Sequence, residues 1–322
     1  ILELSVGPVG GGPQVPYRLV HIEHGLVRPA PLPEARNKPI VLMIGDSHLY
    51  GFTDITHNAA TLVEASLTSE DEPAALVVNA SCPYYSPYQY TLRARTLWNV
   101  LAPRVVVATV FVGNDFVELE DTSRPHLDDR LQEQPPSPDP PRETTSGRWL
   151  IYKTCRPGHF KELFWQGMNQ AIHLHRQPER YSVLLAKARR ALTLLRDDCE
   201  KHHAALVVVL IPAYDDYVDH DLPFRDHATM GPIVRAEINR QLRIDLAAEL
   251  THAGITVVDL FDVFQSADQP DLYAGDFHIW KQGHALLAQA VLPHVRQALE
   301  AGGASGDTES AETDTESASD RD

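Results

Sequence analysis

The chain has 322 residues, of which 43% are hydrophobic and 22% charged, and it carries a formal net charge of −16. No apolar run approaches the roughly 18 residues of a membrane-spanning helix. Basic residues are nowhere clustered, which argues against nucleic acid or an anionic membrane as partner, and the length suits one large α/β domain or two small ones.

Residues 1–38 are rich in Gly and Pro, with one extended piece at Tyr17–Ile22, and are expected to form an arm against the domain. The run Gly10-Gly11-Gly12 precedes any strand–helix unit, so it fails the context of a phosphate loop. From Pro39 onward, apolar β-branched runs at 40–44, 75–79, 104–112, 205–211 and 255–260 predict strands. Several lack the alternation of a half-exposed strand, which predicts a sheet covered on both faces. Helical patterns lie between them, near 55–67, 88–101, 181–202, 233–252 and 281–299. This rhythm argues for one open parallel sheet with helices on both sides.

Two segments break the rhythm. Residues 119–180 form an insertion between the third and fourth strands, with a Pro-rich loop at 134–141 and an aromatic-bearing helical stretch from Trp149 to His175. It leaves the sheet beside its carboxyl end, and so reads as a lid or substrate wall rather than a surface excursion. Residues 301–322 are a Ser/Thr/Glu/Asp tail that carries −6 of the net charge and is expected to be disordered. The cysteines (Cys82, Cys155, Cys199) are too few for a disulfide framework and are expected to be buried free thiols, with a Cys82–Cys155 bridge as the alternative in an oxidising compartment. No basic-then-apolar leader opens the chain, and the compartment, cytoplasmic or extracytoplasmic, stays open.

Chemistry-bearing residues fall at the ends of the predicted strands. Gly45-Asp46-Ser47 follows the first, Asn79-Ala-Ser-Cys-Pro-Tyr84 the second and Gly113-Asn114-Asp115 the third; Asp276-Phe277-His278 precedes the last helix. In a parallel sheet these blocks converge on one crevice at the carboxyl ends of the strands. A serine hydroxyl is a weak nucleophile unless it is aimed and activated by a base, and a strand-to-turn junction supplies the aim.

This pattern resembles the SGNH (GDSL-type) hydrolase superfamily, over about residues 39–298. The resemblance implies a flavodoxin-like three-layer α/β/α sandwich with a five-stranded parallel sheet in the order 2-1-3-4-5. It also implies Ser47 as nucleophile, His278 as base and Asp276 as the acid that orients the imidazole. The oxyanion would be met by the Ser47 backbone N–H, the Asn114 amide and a backbone N–H of the second block, at Tyr84. Asp46 and Asp115 would brace their turns. The family usually carries glycine where this chain has Tyr84, with Ser81 as the other candidate. Its acid often lies three residues before the His, where this chain has Gly275; Asp271 is the other candidate. The pattern G-x-S-x-G of α/β-hydrolases is absent, since position 49 is Leu.

The remaining polar groups have plainer readings. His48 is too close in sequence to reach over Ser47, and His284 reads as a packing or capping residue. His173 with His175, and the pair His202-His203, lack metal-ligand spacing and read as solvated. Asp215-Asp216, with Asp219 and Asp221, reads as a solvated acidic loop, and Cys82 as a small filler beside the site. The expectation is therefore a serine esterase without metal or cofactor, acting on a polar or carbohydrate-like ester of a small acyl group. An O-acyltransferase acting on a glycan hydroxyl shares its chemistry, and a non-catalytic binding domain shares its fold.

Overall fold

The computed structural model describes residues 2–6, 15–33, 37–69, 72–128, 130, 132–137, 167–217, 227–235, 237–267, 272–275 and 277–312. Its centre is a five-stranded parallel sheet of β1 (Ile40–Ile44), β2 (Leu76–Asn79), β3 (Val105–Phe111), β4 (Ala205–Ile211) and β5 (Thr256–Asp259). The strands lie side by side as β5-β4-β3-β1-β2, the expected 2-1-3-4-5 read from the other edge. Every residue of β1 and β3 is buried, which is why those runs are apolar without alternation. The edge strand β5 is partly exposed.

The helices that cover the sheet and carry the site include α1 (Ser47–Tyr50), α2 (Ala59–Ser66), α3 (Pro87–Leu101), α4 (Asp115–Glu118), α5 (Asn169–Arg176), α6 (Arg180–Lys201), α7 (Ile238–His252) and α8 (Lys281–Glu312). Packing in succession, α3, α6 and α7 make one layer; α2 and α8 pair in the other. The pattern near 233–252 resolves into two helices, His227–Arg235 and α7, separated at Glu237 with φ +50°. At the start of α3, Pro87 supplies a preset φ, and the Ser86 N–H donates to Gln89 Oε1 at 2.9 Å.

Three short antiparallel pairs lie outside the central sheet. The first pairs Leu2–Val6 with Val15–Leu19, so the extended piece of the arm is one strand of a hairpin. The arm then meets the edge of the sheet, where the Val27 N–H donates to the Asn79 carbonyl at 2.8 Å. Thr68–Ser69 pairs with Glu72–Pro73, and His126–Leu127 with Glu133–Gln134. Most of the expected lid, with Cys155 and the aromatic residues Trp149, Phe160, Phe164 and Trp165, lies outside the described residues, as do Gly10–Gly12.

One expectation is corrected. Cys82 is half-buried rather than buried, while Cys199 is buried; both are free thiols.

Candidate active site

Ser47 stands where β1 ends, as the first residue of α1. Asp46 caps that helix, its Oδ1 accepting from the His48 N–H at 2.9 Å. The turn is tight because position 45 is glycine: a Cβ there would meet Thr109 Oγ1 at 2.0 Å and the Thr109 carbonyl at 3.1 Å. Gly51, at φ +95°, ends α1 in a conformation that suits only glycine.

Across 231 residues of sequence, His278 Nε2 lies 2.9 Å from Ser47 Oγ. The Ser47 hydroxyl also has Asp46 Oδ2 within reach at 3.4 Å. A hydroxyl has one proton to give, and the shorter contact to the imidazole is the stronger of the two. His278 belongs to a hairpin-like loop in which Ala274 N–H donates to the His278 carbonyl at 2.7 Å and Trp280 N–H to the Leu272 carbonyl at 2.7 Å. Tyr273 ties this loop to the end of β4, its hydroxyl donating to the Pro212 carbonyl at 2.7 Å. Phe277, just before the histidine, is held at φ +65°, a strained backbone next to the reacting group. Asp276 and the other candidate acid, Asp271, lie outside the described residues.

His48 is fully buried and stacked on Phe111 at 3.6 Å, and its Nδ1 accepts from the Ile279 N–H at 3.2 Å. It fastens the histidine loop and does not face Ser47 as a base. His284 is also buried, and its Nδ1 accepts from the Ala59 N–H at 3.3 Å, capping α2. Burial pushes its pKa down to about 3. Of the histidines read as solvated, His175, His202 and His203 are exposed, His202 with one face stacked on Trp98 at 4.7 Å, while His173 is half-buried.

The second block reaches the nucleophile turn through the Cys82 N–H, which donates to the Gly45 carbonyl at 3.2 Å. Cys82–Tyr85 closes a turn with Pro83 at its second position and Tyr84 at its third, the Tyr85 N–H donating to the Cys82 carbonyl at 3.2 Å. Tyr84 has φ +66°, the conformation for which glycine is the usual choice in such a turn. The residue is 49% exposed, with the Arg124 guanidinium 5.0 Å from the ring centre, and Arg124 also donates to the Tyr84 carbonyl. Ser81, the other candidate, is buried, its N–H and hydroxyl both turned to Asn79 Oδ1.

The third block follows β3. Asp115 is buried and accepts from the Tyr90 hydroxyl at 2.7 Å and the Phe111 N–H at 2.9 Å, so it braces the turn. Asn114 is 8% exposed and donates through Nδ2 to Glu118 Oε1 at 3.1 Å, which fixes the nitrogen side of its amide and leaves a second N–H on the same atom. Three carboxyl groups, Asp46, Asp115 and Glu118, thus crowd one end of the sheet. Burial raises all three, and their mutual repulsion raises Asp115 and Glu118 further, well above the usual carboxylate range. Asp46 rises to about 6, held back by the His48 N–H and the nearby His278. The end of the insertion returns here: Val117 N–H donates to Gln170 Oε1 at 3.1 Å, and Gln170 Nε2 donates to the Val112 carbonyl at 2.7 Å.

Of the expected site residues, Ser47, His278 and Asn114 stand at this end of the sheet, with Tyr84 at its rim. Sequence reasoning passed over Glu118, Arg124 and Phe52, whose ring lies 4.1 Å from the His278 imidazole. Only Glu118 left a local signal, as it stands one helical turn after Asn114. Among the described residues there is no group of three or more His, Cys, Asp or Glu side chains arranged to hold a metal ion, and no helix is long and apolar enough to cross a membrane.

No protein-family model and no curated protein sequence matches the chain. Solved structures do. A lipase/acylhydrolase from Enterococcus faecalis is 13% identical over 80% of this chain and 96% of its own, with a TM-score of 0.44. An acetylxylan esterase from Geobacillus stearothermophilus is 15% identical over 81% and 94%, with a TM-score of 0.44. A psychrotrophic esterase from Pseudoalteromonas sp. is 12% identical over 82% and 100%, again with a TM-score of 0.44. The α/β architecture of the chain rests on its own strand order.

Proposed function

We propose that this chain is a serine esterase of the SGNH type, cleaving a small acyl group from a polar or carbohydrate-like alcohol. The observation that carries the reading is the 2.9 Å approach of His278 Nε2 to Ser47 Oγ at the carboxyl end of the sheet. In this mechanism Ser47 Oγ attacks the ester carbonyl carbon while its proton passes to His278 Nε2. The tetrahedral intermediate collapses, the C–O bond to the alcohol breaks, and the imidazolium returns the proton to the leaving oxygen. Water, deprotonated by His278, then attacks the acyl-Ser47 ester and releases the carboxylic acid.

Charge develops on the carbonyl oxygen, and the Asn114 amide, the Ser47 N–H and the Tyr84 N–H are the proposed donors to it. Asn114 suits this task because it donates without a formal charge, and because Glu118 holds its amide one way round. Asp276 is the proposed acid that keeps His278 in the tautomer able to accept at Nε2.

The test is hydrolysis of p-nitrophenyl esters of increasing acyl length by the wild type and by Ser47→Ala. Turnover by the wild type alone supports the esterase, and the preferred length sizes the acyl pocket. A folded wild type without turnover refutes it, and acyl transfer to an added glycan would then identify the transferase.

A further inference from the structure

We propose that Phe52 is a positioning residue for the His278 imidazole, and that the N-terminal arm, acting through Tyr17, keeps Phe52 in place. This rests on the reading of His278 as the base. It makes the arm a working part of the site rather than a decoration of the fold.

Among the described residues, the His278 imidazole meets the rings of His48 at 4.8 Å and Phe52 at 4.1 Å, the latter with planes 33° apart. The two are supported differently. His48 is fixed from the core, fully buried, stacked on Phe111 and bonded to the Ile279 N–H. Phe52 lies in the loop between α1 and α2, one residue after Gly51 with its φ of +95°, and is only partly buried. Its support comes from the arm.

Tyr17 meets Phe52 edge-on, with ring centres 6.4 Å apart. The next residue, Arg18, donates its backbone N–H to Asp54 Oδ2 at 3.2 Å, tying the arm to the loop just past Phe52. On the near side, His21 Nε2 and the Tyr50 hydroxyl lie 2.8 Å apart. The arm residues Tyr17, Leu19 and Val27 form a separate apolar cluster with Ile55, Ala274 and Trp280, and Phe52 packs against it. Ala274 and Trp280 lie four residues before and two residues after His278. One cluster therefore clamps both the loop that carries Phe52 and the loop that carries the imidazole. Displacing a catalytic group by about 1 Å costs on the order of 10²-fold in rate, so a ring that restrains the imidazole has leverage on turnover without touching substrate.

The experiment compares Phe52→Ala, Phe52→Tyr, Tyr17→Ala, Tyr17→Leu and the Phe52→Ala/Tyr17→Ala double variant in the full-length protein. The readouts are kcat, KM, Tm and the imidazole proton resonances of His278, assigned by their loss in His278→Gln. Phe52→Ala is expected to lower kcat about tenfold with KM within twofold, and to move the His278 resonance as the ring current of Phe52 is lost. Phe52→Tyr should restore both. Tyr17→Ala should act in the same direction and add little in the Phe52→Ala background, because it works through that ring. Tyr17→Leu, which keeps apolar volume but removes the ring edge, serves if the alanine variant does not fold. A Tyr17 variant that lowers Tm yet leaves kcat and the His278 resonance at wild-type values overturns the proposal. If the wild type shows no Ser47-dependent turnover, the esterase reading fails, and the resonance still decides whether the arm positions the imidazole.

Discussion

Gly45→Ala probes how much of the site depends on the close approach of the nucleophile turn to β3. An alanine Cβ would lie 2.0 Å from Thr109 Oγ1, 3.1 Å from the Thr109 carbonyl and 3.2 Å from Leu49 Cβ. Ordinary carbon contacts begin at about 3.5 Å. Thr109 is fully buried in the middle of β3, and its side chain branches at Cβ. Turning the side chain away gives up its hydroxyl's contact with the Ile44 carbonyl at 3.5 Å and still leaves the Thr109 backbone carbonyl at 3.1 Å from the new Cβ. The backbone has to give way. Overpacking of this kind costs about 1–3 kcal/mol, and a stiff neighbour with a carbonyl behind it places this site near about 3 kcal/mol.

Removing the hydroxyl and methyl with Thr109→Ala clears the worst contact and leaves two that yield by a few tenths of an ångström. The double variant should thus be more stable than the sum of the two single changes by about 1–2 kcal/mol, a coupling within the range for residues in contact. Urea unfolding followed by circular dichroism supplies the four free energies of the cycle. Parallel kcat measurements should show Gly45→Ala losing on the order of 10²-fold, since Ser47 lies two residues along the same turn. Wild-type stability in Gly45→Ala, or strict additivity in the double variant, would refute the argument that this glycine exists for space.

Asn114→Ala should lower kcat by roughly 10²–10³-fold with KM little changed, and an unaltered kcat removes it from the oxyanion site. Tyr84→Gly should leave stability within about 1 kcal/mol, because relief of the left-handed backbone is offset by unfolded-state entropy and the lost contact with Arg124. The same variant should shift preference toward bulkier p-nitrophenyl esters, and an unchanged acyl-length profile would show that the ring does not line the pocket. The pH dependence of stability carries two opposing signatures. His284 has a folded pKa of about 3 against 6.5, so its contribution is complete above 6.5 and is lost as pH falls, by about 2 kcal/mol at pH 5. Asp46, at about 6 against 3.8, works the other way: its contribution is full below 3.8 and is lost as pH rises through 6. Urea midpoints at pH 5 and 7 should show the deficit of His284→Gln closing on acidification and Asp46→Asn gaining on the wild type as pH rises. Parallel profiles for variants and wild type would contradict both assignments.

The five strands were legible almost to the residue because a strand buried on both faces writes its burial as an unbroken apolar run. Ile40–Ile44 and Val105–Phe111 are such runs. The turn after the first was legible for a local reason too, since Gly45 and Asp46 serve contacts within a few residues or across one neighbouring strand. What composition and spacing could not carry is contact between distant elements. Nothing near position 17 announces that its tyrosine meets Phe52, and nothing near position 52 announces the imidazole of His278. The break at 119–180 was visible as lost rhythm, but not the return of Gln170 to the Val112–Val117 turn, which depends on a single amide bonding at both ends.

Tyr84 shows why a departure from a family pattern is more informative with the backbone in view. As a sequence it reads as a missing glycine and puts the second block in doubt. In the structure the turn keeps the left-handed conformation a glycine would adopt, at a cost of roughly 1–2 kcal/mol for a side chain with a Cβ. The turn is over-determined: Pro83 presets the residue before it, the Tyr85 N–H closes it onto Cys82, and Arg124, at the start of the 119–180 insertion, donates to the Tyr84 carbonyl. The loop thus runs as it would with glycine at position 84, and it presents a half-exposed tyrosine at the rim of the candidate site.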